Sequence, residues 1–231
     1  MPPSSFSSIL PDRPRPRPRL WSGPVRAGLL GLSALALTAC GATSPAADVD
    51  TPTVQPEQLS EAGGEPCPDE LPIGDDPSRH GFGVEHAAEQ LPHLLDPQEA
   101  RVCGYETYDR DTTSNGGLVY GWRLMGKPQP VAPDDLPALR SALDGLSLLS
   151  PDQACTADLG PRWLVVYSHD GDLTGVLVDD YGCRNVRLTD DPHSTPPGTS
   201  QQGGMVGGLL DGGTAVLDAV EPSTARTKEG W

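Results

Sequence analysis

Three residues near the middle of the sequence have the types and spacing for chemistry. His86, Glu89 and His93 stand at positions i, i+3 and i+7, so a continuous helix would place them on one face, as a metal site or an acid–base cluster requires. Pro92 interrupts such a helix, because it has no amide hydrogen and its ring clashes with the preceding turn. We therefore interpret the three residues as exposed polar positions beside an apolar stripe.

A second candidate is the run of oxygen-bearing residues from 109 to 116, which alternates like the start of a calcium-binding loop. Ser114 stands where such a loop needs glycine, and Tyr120 stands where it needs the bidentate glutamate. The sequence therefore favours an ordinary loop between two strands.

Two pairs of aspartates flank expected turns, Asp170 with Asp172 and Asp179 with Asp180. Turn propensity explains all four, so they do not indicate paired catalytic carboxylates. The sequence contains no G-x-S-x-G, S-x-x-K or H-E-x-x-H motif and no glycine loop typical of phosphate binding. We expect no catalytic residue, no metal ligand and no cofactor, and hence a protein that is not an enzyme.

Four of the five cysteines, Cys67, Cys103, Cys155 and Cys183, form an even set that suits folding in an oxidising compartment. Four cysteines allow three connectivities, of which Cys67 with Cys103 and Cys155 with Cys183 fits the hairpins expected below. In the chain-entropy model each such bridge stabilises the fold by about 3 to 4 kcal/mol. There is no C-x-x-C spacing and no histidine cluster near the cysteines, so the pattern does not indicate zinc.

Residues 1–39 have the composition of an export signal. Five arginines precede an apolar run over 27–39 that is too short to remain across a membrane. The run ends Leu37-Thr38-Ala39-Cys40, which resembles the lipobox of bacterial lipoproteins. This resemblance implies cleavage after Ala39 and lipid on Cys40, which would hold the chain on the extracytoplasmic face of the cell membrane. The alternative is a secreted protein whose cleavage site happens to contain a cysteine.

The charge and composition of the exported chain indicate which partners it disfavours and how it is attached. After Ala39 it has 31 acidic and 11 basic residues, a balance that disfavours nucleic acid and anionic headgroups as partners. Residues 40–66 are rich in Ala, Thr, Pro and Gly and predict a flexible tether with a reach of about 28 Å. The membrane would then serve as an anchor and not as a substrate.

Residues 67–190 predict an α+β domain, a small antiparallel sheet of about five strands with one to three helices packed on it and two disulfides. Residues 191–231 predict a Gly/Pro-rich tail with a weak helix. The expected elements are a weak helix at 84–95, strands at 101–107 and 118–124, a helix at 136–146, a hairpin at 162–179, a strand at 183–188 and the weak terminal helix at 205–220.

The hairpin is the strongest local signal, because Asp170-Gly171 favours a type I′ turn between two β-rich runs. A two-residue turn fixes the register so that paired residue numbers sum to 341, with Trp163 opposite Val178. Both faces of the hairpin are apolar, which predicts a central position in the sheet. We also expect five aromatic residues on the strands to lie in the core: Tyr105, Tyr120, Trp122, Trp163 and Tyr167.

From residue 101 onward the order of elements, with Pro151-Asp152-Gln153-Ala154-Cys155 and Tyr181-Gly182-Cys183, is similar to a family of small exported proteins from GC-rich bacteria. The resemblance covers a little over half the chain and implies a fold but no activity. The leading hypothesis is a non-catalytic envelope module that binds a protein, a wall polymer or a small ligand. The alternative is an envelope hydrolase or metal-dependent enzyme.

Overall fold

Seven antiparallel strands form one sheet in the order β2-β1-β4-β5-β6-β7-β3. The computed structural model describes residues 52, 54–74, 84–111, 118–156 and 160–221. The sequence predicts about five strands, and the two additional ones have only two residues each, too few to leave an alternating pattern. The strands are β1 Glu99–Asp111, β2 Leu118–Pro130, β3 Ser147–Leu148, β4 Arg162–His169, β5 Asp172–Asp179, β6 Val186–Thr189 and β7 Leu210–Asp211.

Three α-helices in these ranges accompany the sheet, which confirms the α+β class: α1 Gln58–Glu61, α2 Leu136–Asp144 and α3 Gly213–Ala219. The leucine stripe forms α2, which buries Leu139 and Leu143 and ends at Gly145. The prediction of a helix over 84–95 is wrong. Here the amide of Ala88 donates to the carbonyl of Leu209, and the amide of Leu209 donates to the carbonyl of His86, so this segment pairs with the chain before β7 instead of coiling.

The β4–β5 hairpin has the predicted register throughout, from Arg162 opposite Asp179 to His169 opposite Asp172. Asp170 and Gly171 both adopt positive φ, 52° and 86°, as a type I′ turn requires. The hairpin lies between β1 and β6, and every residue of β5 is buried. Its predicted central position is therefore confirmed.

One face of the sheet is covered by α2 and by the chain beyond residue 204. Met205, Leu210 and Val216 are buried there against Val165 and other strand residues. The residues expected to form a separate tail thus complete this core as far as residue 220, and the terminal helix is confined to α3 because the glycines before it break the helical run.

The opposite face is covered by residues 54–74, which place Cys67 and Leu71 against Leu164 and Leu177. Gln58 fixes this N-terminal segment: its Nε2 donates to the carbonyl of Asp190 at 2.8 Å, and its Oε1 accepts the amide of Leu173 at 2.7 Å. The described part of the expected tether, 54–66, is therefore folded onto the sheet. Its average composition conceals the few side chains that make these contacts.

Two disulfides tie these layers together in the short-range pairing expected from the sequence. Cys67–Cys103 joins the N-terminal segment to β1, with a Cα separation of 6.2 Å and both cysteines buried. Cys155–Cys183, with a Cα separation of 5.0 Å, joins the chain before β4 to the chain after β5, and Cys155 is exposed.

Candidate functional site

The β1–β2 hairpin extends beyond the rest of the sheet. β4 begins at Arg162, opposite Tyr105, whereas β1 continues to Asp111 and pairs with β2 down to Leu118. We call residues 106–111 and 118–123 the arm. Among the described residues, no strand pairs with the edge of β1 that faces away from β2 within the arm.

One face of the arm carries a stack of a tyrosine and two arginines. A Cβ at Gly121 would lie 2.6 Å from the ring of Tyr108 and 2.7 Å from Cδ of Arg110, so only glycine lets both side chains lie across this strand. The guanidinium of Arg123 lies 5.8 Å from the centre of the Tyr108 ring, within range of a cation–π contact. Tyr108 is half-buried, and Arg123 and Arg110 are both exposed.

Carboxylates complete the arrangement. Glu106 forms an ion pair with Arg123 at 2.8 Å, and both side chains are open to solvent, so the pair adds at most about 1 kcal/mol of stability. Partial burial raises the pKa of Tyr108, and a hydrogen bond with the side chain of Glu70 raises it further. Arg110 has no carboxylate within ion-pair distance among the described residues.

The β1–β2 hairpin differs in charge from the rest of the protein. β1 and β2 contain four basic and four acidic residues, whereas the rest of the chain after Ala39 contains seven basic and 27 acidic residues. The hairpin is thus neutral on an otherwise strongly acidic protein. A partner that the acidic surface would repel can still approach here.

A buried ion cluster supports the base of the arm. The guanidinium of Arg162 lies 4.0 Å from the centre of the Trp122 ring, and its Nε donates to Asp179 at 2.8 Å. The other oxygen of Asp179 accepts from Nη1 of Arg187 at 2.7 Å. Each of the three ionic side chains is at most 5% exposed.

Burial lowers the pKa of Arg162, while the charge of Asp179 opposes that change. One carboxylate shared by two guanidiniums holds β4, β5 and β6 together where the arm leaves the sheet. This cluster is not among the sites expected from the sequence, although the register sum of 341 already places Arg162 opposite Asp179. The sequence predicts a turn residue at Asp179, which is instead the centre of a buried ion cluster.

The other aspartates have separate surroundings. Asp170 is part of the turn, as expected, and Asp172 is buried beside it. Asp180 accepts the indole N–H of Trp163 at 3.1 Å and pairs with Arg184. The four do not form one carboxylate cluster.

The proposed face of His86, Glu89 and His93 does not form, because this segment is not helical. His86 and Glu89 line a shallow depression of about 240 Å³ with Gln201, while the amide of His93 donates to the carbonyl of Gly204. In the part of the chain that the structure describes, no three His, Cys, Asp or Glu side chains are placed to hold a metal ion.

Four of the five aromatic residues expected in the core are there, and the prediction is wrong for Tyr120. Tyr105, Trp122, Trp163 and Tyr167 are each at most 1% exposed, and Tyr120 is partly buried. The aromatic ring in the stack on the arm is that of Tyr108, which is not among the five aromatic residues named from the sequence. The feature that could have indicated it is Gly121 on the opposite strand, at a position where a strand normally carries a side chain.

Two predicted features lie outside the described residues. They are Cys40 with the whole of 1–39, and positions 112–116 of the calcium-like run. Within the described ranges, no helix has the length and apolar character needed to cross a bilayer. Comparison with known proteins found no matching family model, no matching curated protein and no matching solved structure.

Proposed function

We propose that this chain is an exported lipoprotein, anchored through Cys40 to the extracytoplasmic face of the cell membrane, and that its folded domain is a non-catalytic interaction module. The sequence Leu37-Thr38-Ala39-Cys40 supports the anchor. The two disulfides fit folding in an oxidising compartment, where such bonds persist.

The observation that carries the interaction role is the arm. Its half-buried Tyr108 and exposed Arg110 and Arg123 belong to residue types enriched at binding surfaces, because each combines a large contact area with directional polar groups. Gly121 allows the tyrosine and Arg110 to lie flat across the strand, so the surface is formed before a partner arrives. The arm belongs to the β1–β2 hairpin, which is neutral as a whole on an acidic protein, so negatively charged envelope components are repelled less here than by the rest of the surface.

The anchor is tested with Cys40→Ala in a bacterium that processes lipoproteins. The wild-type chain should appear in the membrane fraction with the mass of a diacylglycerol thioether, and the variant should appear in the medium. Ser44→Ala, which lies near the cleavage site and leaves the thiol intact, is the matched control and should remain with the membrane. A wild-type chain that carries no lipid at Cys40 would refute the anchor.

The interaction role is tested by placing a photoreactive phenylalanine analogue at position 108 of the full chain in the native envelope. The same analogue at Ala138, an exposed position on α2, is the control. We expect several times more cross-linked adduct from position 108 than from position 138. Equal yields from the two positions would show that the arm is not the interaction surface.

A further inference from the structure

We infer that the depression beside residues 86–90 binds a neutral acetamido sugar of a glycan. This inference goes beyond the proposed function, because the depression adjoins the chain that leads into β7, whereas the arm belongs to β1 and β2 toward the other edge of the sheet. The depression has a volume of about 240 Å³, and Val206 and Gly207 lie among the residues that line it. Four polar side chains surround it: His86, Glu89, Gln90 and Gln201.

Backbone contacts fix the two segments that enclose the depression. The amide of Ala88 donates to the carbonyl of Leu209 at 2.9 Å, and the amide of Gly208 donates to the carbonyl of Gly198 at 2.8 Å. Gly208 has a φ of 101°, and a Cβ there would lie 2.7 Å from the amide nitrogen of Ala88, so only glycine lets the segments approach this closely. The depression is therefore formed before a ligand arrives, which lowers the entropy cost of binding.

The surrounding side chains suit the hydroxyl and acetamido groups of a sugar. A carboxamide and a neutral imidazole each donate and accept hydrogen bonds, and a carboxylate accepts them. Gln90 and Gln201 can each bond in both directions with an acetamido group, which is itself an amide. Among the described residues, none of the four side chains has a hydrogen-bond or ion-pair partner, so their polar atoms are available to a ligand.

Charge at the depression favours a neutral ligand over an ionic one. The described residues that line it include one carboxylate, Glu89, and no Lys or Arg. An anion would be repelled by the chain outside β1 and β2, which has 27 acidic and seven basic residues after Ala39. A cation would gain at most about 1 kcal/mol from a single exposed carboxylate. No three His, Cys, Asp or Glu side chains in the described ranges are placed to hold a metal ion.

The depression remains open on the side of the solvent. The four polar side chains around it are all exposed, so it does not enclose a free molecule from every direction. One sugar residue can bind there while the rest of a glycan continues into solvent. A single shallow contact of this kind binds weakly, and several copies anchored in one membrane would hold one long glycan more tightly.

The test titrates the full chain with the trimer of N-acetylglucosamine and follows the backbone amide signals by NMR. We expect the signals of Ala88 and Gly207 to shift and those of the arm to stay in place. Gln201→Ala should raise the Kd several-fold, because it removes a carboxamide whose Nε2 lies 3.3 Å from where a Cβ of residue 207 would be. Gln202→Ala is the matched control and should leave the Kd unchanged, since Gln202 is exposed and does not line the depression. Unchanged thermal unfolding of both variants, measured by circular dichroism, ensures that lost affinity reflects lost contact.

The trimer of glucosamine has the same sugar backbone with protonated amines in place of the acetamido groups, and it should bind several-fold more weakly. Three results would overturn the inference: no shift at Ala88 and Gly207 with the neutral trimer, no greater loss of affinity in the Gln201→Ala chain than in the Gln202→Ala chain, or binding of the glucosamine trimer that is equal or tighter. The last result would show that the acidic surface attracts a cationic ligand. None of the three concerns the arm, so photo-cross-linking from position 108 tests the proposed function separately.

Discussion

At the open end of the β4–β5 hairpin, Asp179 lies between two guanidinium groups, whereas at the turn end Asp172 lies near another aspartate, Asp190. Burial raises the pKa of Asp172 and the nearby charge of Asp190 raises it further, while backbone hydrogen bonds from Gln55 and Leu173 and the charge of His169 only partly oppose this. One oxygen of Asp190 is buried without a hydrogen-bond partner. The same type of side chain thus lies between opposite charges at one end of the hairpin and near a like charge at the other.

The two ends of the hairpin also differ in what they support. The open end supports the arm, and its ion cluster holds three strands in place where the sheet gives way to a two-stranded projection. The turn end receives the N-terminal segment: the amide of Leu59 donates to the carbonyl of Gly171 at 3.1 Å, and Gln58 contacts Leu173 and Asp190. Charge pairing thus supports the arm at one end, and backbone and amide hydrogen bonds hold the docked segment at the other.

The largest effect is expected from Asp179→Asn, which removes the charge between the two arginines. Two buried guanidiniums would then lack their carboxylate, and the free energy of unfolding should fall by about 3 to 5 kcal/mol, as measured by urea denaturation. Asp144→Asn is the control, because its ion pair with Arg140 is exposed and should cost at most about 0.5 kcal/mol. Equal losses in the two variants would mean that the cluster does not hold the open end.

A smaller loss is expected at the turn end from Gln58→Ala. The amide of Leu173 would lose its acceptor while buried, which should cost about 1 to 3 kcal/mol. Hydrogen exchange at Leu173 should become faster, and exchange at the open end should change much less. Glu61→Ala, exposed on the same short helix, serves as the control. Unchanged exchange at Leu173 would show that Gln58 does not fix the N-terminal segment.

The smallest effect, with the opposite sign, is expected from Asp172→Asn. Because the pKa of Asp172 is raised in the folded state, its ionised form opposes folding at neutral pH, and the variant should be more stable than the wild type at pH 7. This advantage should shrink as pH falls through the raised pKa and vanish below 3.8, the ordinary value, where the wild-type carboxyl is protonated. Urea denaturation at several pH values measures it. An advantage that does not change with pH would contradict the burial of a charged Asp172.

The sequence predicts the turn and register of the central hairpin because they depend on two adjacent residues, Asp170 and Gly171, and on an alternating pattern nearby. It predicts α2 for a similar reason, since the leucine spacing is local. The contact between Arg162 and Asp179 can be predicted in the same way, because the predicted register places them opposite one another.

Other features depend on contacts between distant parts of the chain. Nothing near Gln58 indicates that its partners are Leu173 and Asp190, and its neighbours have the composition of a tether. The arm, too, is defined by where β4 begins relative to β1, which follows from tertiary register and not from either strand alone. The two-residue strands β3 and β7 are too short to carry a pattern of their own.

The N-terminal segment has a consequence for when the domain can close. Gln58 leaves the ribosome early, but its hydrogen-bond partners lie 115 and 132 residues further along the chain. These two hydrogen bonds therefore cannot both form until synthesis has passed residue 190, and contacts of such high sequence separation form slowly. The segment that is made first within the described domain is therefore among the last to reach its final hydrogen bonds.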